Sequence, residues 1–88
     1  PVMQWVVWAA SQNLPIMLHC SEELATSLAA ASPGITHVEH LPAISLRELG
    51  LSDDGVTVVD GSLVPPEVPG HGITFDLSRL AGFPLITD

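Results

Sequence analysis

His19 and Glu39 are the residues whose types and placing first suggest chemistry. Each directly follows a short segment that reads as a strand, residues 15–18 and 35–38. A histidine titrates near neutrality and can act as a general base, and a partly buried carboxyl can act as an acid or hydrogen-bond donor. Adjacent strands lie about 4.8 Å apart, so both side chains would reach one small ligand. The ordinary alternative is a solvated loop histidine and a solvated loop glutamate, and spacing alone favours it.

Other chemistry-bearing residues give weaker patterns. His37, His40, Cys20, His19 and Glu39 supply enough ligand types for zinc. On a strand, however, residues 37 and 39 share a face from which 40 points away, and paired Cys or His spacings of structural zinc sites are absent. These are expected to be ordinary polar positions. Cys20 beside His19 does not read as an activated nucleophile, because neighbours on an extended end point apart. Gly70-His71-Gly72 is glycine-rich but lacks the lysine and the strand–loop–helix context of a phosphate loop. Trp5 and Trp8 are expected in the core, and Asp53 and Asp54 in a solvated turn.

The elements that must position His19 and Glu39 follow from the periodicity. Val2, Trp5, Val6, Ala9 and Ala10 mark a helix that Pro15 prevents from continuing. Residues 15–18 form an unalternating apolar run, which suits a strand buried on both faces of a parallel sheet. Ser21 reads as an N-cap, with Glu22 and Glu23 in the first turn where the helix dipole favours acids. Leu24, Leu28 and Ala31 give that helix an apolar stripe, Ser32-Pro33-Gly34 ends it, and residues 35–38 form the second strand. Strand, helix and strand predict a parallel βα unit that needs more sheet than these 88 residues supply. Beyond Pro42, residues 44–49 suggest a helical turn or two. Asp60-Gly61 between residues 56–59 and 62–64 signals a hairpin with a type I′ turn. Residues 73–75 read as a further extended piece, and Asp76 as the cap of a last helical turn.

Composition narrows the function classes. Ten acids face two arginines, Arg47 and Arg79, with no lysine and a net charge of −8. No basic patch can be built, so nucleic acid and anionic membrane surfaces are excluded as partners. A single cysteine cannot form an internal disulfide, which points to a reducing, cytoplasmic setting. No apolar run is long enough to span a membrane, and no basic start precedes an apolar stretch as in a signal peptide. Hydrophobic residues make up 47% and charged residues only 14%, the balance of a piece of a larger core.

Taken in order, Leu14 to His19, Glu23, Leu28 to Pro33, His37-Val38-Glu39, Asp60-Gly61, Val64-Pro65 and Pro69 to Ile73 resemble the end of the enolase-superfamily barrel. The likeness is greatest to the mandelate racemase / muconate lactonizing enzyme family, on its mandelate racemase branch. It implies an α/β fold: the last βα units of a (β/α)8-type barrel over residues 1–42, and a hairpin-containing closing segment over 43–88, incomplete as a barrel. It further implies that His19 moves the proton α to a substrate carboxylate and that Glu39 hydrogen-bonds the enediolate. Mg²⁺ would be the cofactor. Its carboxylate ligands, the family's Lys-x-Lys pair, the aspartate orienting the histidine and the capping domain would all lie outside this chain.

The resulting expectation is a C-terminal fragment of a Mg²⁺-dependent racemase or dehydratase of a 2-hydroxy acid or acid sugar, inactive alone. The partner is a small carboxylate substrate, and a homo-oligomer is left open. The rivals are an autonomous acidic module that binds a protein through its sheet edge, and a decayed reading frame without activity.

Overall fold

The computed structural model describes residues 1–84; residues 85–88, the end of the expected 43–88 segment, lie outside the description. Helix α1 (Val2–Ser11) leads to strand β1 (Ile16–Leu18), helix α2 (Glu22–Ala31) and strand β2 (Ile35–Val38). A 3₁₀ turn (Pro42–Ile44) follows, then strands β3 (Thr57–Val59) and β4 (Ser62–Val64) and a 3₁₀ segment (Leu77–Gly82). The expected strand–helix–strand order is therefore present as a small α/β unit.

Local chemistry explains each boundary. At the end of α1, Asn13 takes a left-handed φ of 56°. Its N–H donates to Ala10 O, while the Leu14 N–H donates to Ala9 O. Those two bonds close a Schellman motif, satisfying carbonyls the helix leaves open. Strands β1 and β2 pair in parallel, with Ile16 opposite Ile35, Met17 opposite His37 and Leu18 opposite Val38. Gly34 immediately precedes β2 and lies beside α1. A Cβ there would stand 2.9 Å from Val6 Cγ1, so only glycine lets the helix approach this closely. The hairpin forms as expected: β3 and β4 pair antiparallel, and Asp60 (φ 49°) and Gly61 (φ 79°) take the two left-handed turn positions.

The structure corrects several expectations. Ser21 occupies the N-cap position of α2 in a left-handed conformation, but its side chain makes no capping bond. Leu24 and Ala31 are exposed and Leu28 half-buried, while α2 buries Glu22, Glu23, Ala25 and Thr26 instead. Trp5 is 65% and Trp8 55% exposed; they meet edge to face at 6.1 Å rather than entering a core. Residues 73–75 join no strand ladder. They are held by Thr74, whose carbonyl accepts from Ser52 Oγ at 2.7 Å and whose N–H donates to Asp54 Oδ2 at 2.6 Å. Asp53 is not merely solvated: Arg79 Nη1 and Nη2 donate to its two oxygens at 3.1 and 2.6 Å. Asp76 caps the last turn as expected, accepting from Ser78 N at 3.0 Å.

Among the described residues the buried apolar side chains are Val6, Ala9, Ala25, Ile35 and Ile73. Met3, Val7, Met17, Phe75 and Phe83 are exposed as well as the tryptophans. The radius of gyration, 14.9 Å, exceeds the ~12 Å of a compact domain of this length. Both observations describe a unit with more apolar surface than its own core can cover.

Candidate functional site

The parallel register decides where His19 and Glu39 stand. Leu18 is opposite Val38, and the Glu39 N–H donates to Leu18 O at 3.0 Å, carrying the ladder one step past β2. The next residue after Leu18 is His19, so the two emerge together at the C-terminal edge of the strand pair. Their side chains meet directly, His19 Nδ1 against Glu39 Oε2. As a hydrogen bond the contact has the ring N–H donating and the carboxylate oxygen accepting. The His19 side chain is 75% exposed and that of Glu39 34%. The pair thus joins an anchored carboxylate to an accessible imidazole.

Cys20 enters the same cluster, which the sequence reading did not expect. Its φ of 59° and the 49° of Ser21 are left-handed, a conformation that costs a non-glycine residue roughly 1–2 kcal/mol. In extended backbone Cys20 would point away from the His19 side chain; the left-handed turn removes that alternation. One ligand-capable atom each of His19, Cys20 and Glu39 now lies within 4.8 Å of the others. The Cys20 N–H also donates, at 3.4 Å, to the Glu39 oxygen that faces His19. No sequence signal marks this turn, since neither residue is glycine or asparagine.

His37 and His40, counted with these residues at first, stand elsewhere. His37 Nδ1 bonds Thr36 Oγ1 at 3.0 Å. His40 Nδ1 meets Glu22 Oε2 at 2.5 Å, and the same oxygen accepts from Leu41 N at 3.2 Å. Glu23 Oε1 accepts from Leu46 N at 2.6 Å. The two first-turn acids of α2 therefore do more than face the helix dipole. Buried, they hold residues 40–46 against the helix and so fix the chain leaving Glu39. A Ser/Glu/Glu start to a helix does not reveal this, because the donors lie about twenty residues downstream.

The donor set tests which cation suits the site. Mg²⁺ takes hard oxygen ligands in near-ideal octahedral geometry. An imidazole, a thiol and one carboxylate do not fit it. Among the described residues no other group of His, Cys, Asp and Glu gathers so closely. No helix among the described residues is long and apolar enough to cross a membrane.

Comparison with known proteins places these observations. Residues 1–79 match the family described as enolase C-terminal domain-like. A hydrophobic dipeptide epimerase from Flavobacteria bacterium (strain MS024-2A) is 31% identical over 65 residues. That match covers 73% of this chain and 19% of the epimerase, so the chain spans about a fifth of its curated relative. No solved structure matches at a significant level.

Proposed function

The chain belongs to the enolase C-terminal domain-like family, and on that premise we propose that it is the part of an enolase-superfamily enzyme that moves the proton α to a carboxylate. One observation carries the reading: the direct contact of His19 and Glu39 at the C-terminal edge of two parallel strands. In barrels and open α/β sheets that edge is where chemistry is done.

The division of labour follows from the contact. With the proton on Nδ1, Glu39 accepts that hydrogen bond in the free protein and leaves the lone pair on Nε2, a second role beside the hydrogen bond to the enediolate that the family resemblance implies for it. The ring is exposed, so Nε2 is accessible to a substrate. The substrate Cα–H bond breaks, its electron pair enters the enediolate, and the proton goes to Nε2. Return of a proton to the opposite face inverts the centre; loss of a β-leaving group dehydrates it. In the family a bound Mg²⁺ stabilises the enediolate. The cluster of His19, Cys20 and Glu39 does not fit that ion, and in this reading its carboxylate ligands come from other parts of the enzyme. The exposed faces of α1 and α2, with Trp5, Trp8 and Leu24, are in this reading the surfaces that the remainder of a (β/α)8 barrel covers.

The first reading of the substrate is a 2-hydroxy acid or acid sugar, acted on by a mandelate racemase-like enzyme. The epimerase match favours a second, an amino-acid residue of a small peptide, which offers the same acidic C–H. Solvent-deuterium exchange into both substrate classes by the full-length enzyme tests the proposal. His19→Asn should lower turnover, and exchange of the enantiomer whose α-proton faces His19, about 10²–10⁴-fold, the usual contribution of a general base. In a racemase the base on the opposite face should still exchange the other enantiomer. Glu39→Gln keeps the shape and should lower turnover less. Undiminished turnover, or undiminished exchange of both enantiomers, in His19→Asn overturns the assignment.

A further inference from the structure

We propose that His19, Cys20 and Glu39 form a site for a thiophilic divalent cation of the zinc type, separate from the family's Mg²⁺. The further claim that an ion there stops proton transfer rests on the proposed function of His19 and Glu39. Imidazole, thiolate and carboxylate are the ligand types that tetrahedral zinc selects, with a water completing the fourth position. Around such an ion the ligand atoms stand roughly 3.3–3.6 Å apart, given bonds of about 2.0–2.3 Å. In the protein they already lie within 4.8 Å of one another.

The adjustment required is small and the parts that must move are free to do so. The His19 ring is exposed and swings without disturbing packing. Its contact with Glu39 opens as the cation takes the place of the shared proton. The costly element, the left-handed backbone at Cys20 and Ser21, is in place before any ion arrives. Two of the three ligands are anionic when metal-bound, in a chain of net charge −8 without lysine, so a cation meets no competing positive side chain within the cluster. His37 and His40 are held by Thr36 and Glu22 and are not ligands. An ion held by His19 takes the lone pair a base requires, and one held by Glu39 removes the partner that fixes the tautomer. The site would therefore be inhibitory.

Cobalt(II) titration of the purified protein reads the site without reference to activity. A thiolate-to-cobalt charge-transfer band reports ligation by a cysteine, and its loss in Cys20→Ser assigns that ligand to Cys20. The expected result is a one-to-one band that Zn²⁺ abolishes and Mg²⁺ at equal concentration leaves unchanged. His19→Ala and Glu39→Gln should each weaken cobalt binding at least about tenfold, the minimum expected where even outer-shell partners cost 10–100-fold. Glu39→Gln, which keeps the side-chain shape, decides the matter if His19→Ala disturbs the turn. No band, a band indifferent to both substitutions, or equal displacement by Mg²⁺ overturns the site. A band that meets these criteria in a protein without α-proton exchange upholds the site and rejects the function proposed above.

Discussion

The two halves of the described chain are held together by different forces. Residues 1–42 rest on backbone ladders and close apolar packing: β1 on β2, and Val6 of α1 against Gly34. Residues 43–84 have one short hairpin and local backbone turns, tied together by side-chain bonds. Ser52 and Asp54 grip Thr74, and Arg79 bridges Asp53 and Asp76. Backbone ladders are cooperative and tolerate surface change, whereas the clasp around Arg79 is exposed to competing water and salt. The candidate site sits at the edge of the first half, where position is set by strand register. Glu23 ties the second half to it, its Oε1 accepting from Leu46 N.

Ile35→Ala should break this contrast most strongly. Ile35 is buried at the start of β2, and truncating a buried isoleucine costs about 2–5 kcal/mol. Amide exchange should accelerate across β1 and β2, and the His19–Glu39 contact should be lost from the NMR spectrum. Unchanged protection there would mean that the strand pair is not the stable centre.

Glu23→Ala cuts the link between the halves. It leaves the Leu46 N–H without its acceptor, at a cost of about 1–3 kcal/mol. Faster exchange at residues 44–51, with β1 and β2 still protected, is the expected pattern. Equal loosening of both halves would show that they form one cooperative unit.

The smallest effect belongs to the clasp around Arg79. The Arg79 hydrogen bond and charge hold the Asp53 carboxyl below its ordinary 3.8, and hydrogen bonds from Ser78, then the Arg79 charge, do the same for Asp76. A carboxyl with a depressed folded-state value stabilises above its unfolded value. That contribution is lost as pH falls through the lower folded value. The clasp should hold at neutral pH and open below about 3.8, and added salt should weaken it, since these groups are solvent-exposed. Side-chain carboxyl shifts of Asp53 and Asp76 followed from pH 6 to 2 would check this, with the Asp53 midpoint moving up in Arg79→Met. An unaltered titration in that variant would assign the depression to other groups.

Much of the positioning frame was legible because it obeys local rules. Unalternating apolar residues 15–18 and a short second strand across an alanine-rich helix define the parallel pair, and Asp60-Gly61 defines its hairpin. Once the strands are parallel neighbours, His19 and Glu39 must emerge at the same edge. Periodicity misled where it had to assume a covering partner. Trp5 and Trp8 lie on an apolar face of good helical period, yet both stay more than half exposed.

The sequence by itself thus determined the βαβ order, the glycine-dependent turn and the adjacency of His19 and Glu39, because each follows from side-chain alternation, φ preference or strand register. Tertiary structure alone decided that Cys20 joins that pair, that Glu22 and Glu23 are buried clasps, and that Asp53 meets Arg79. Each of these depends on an unsignalled left-handed turn or on donors and acceptors about twenty residues apart, and no local pattern encodes a partner at that distance.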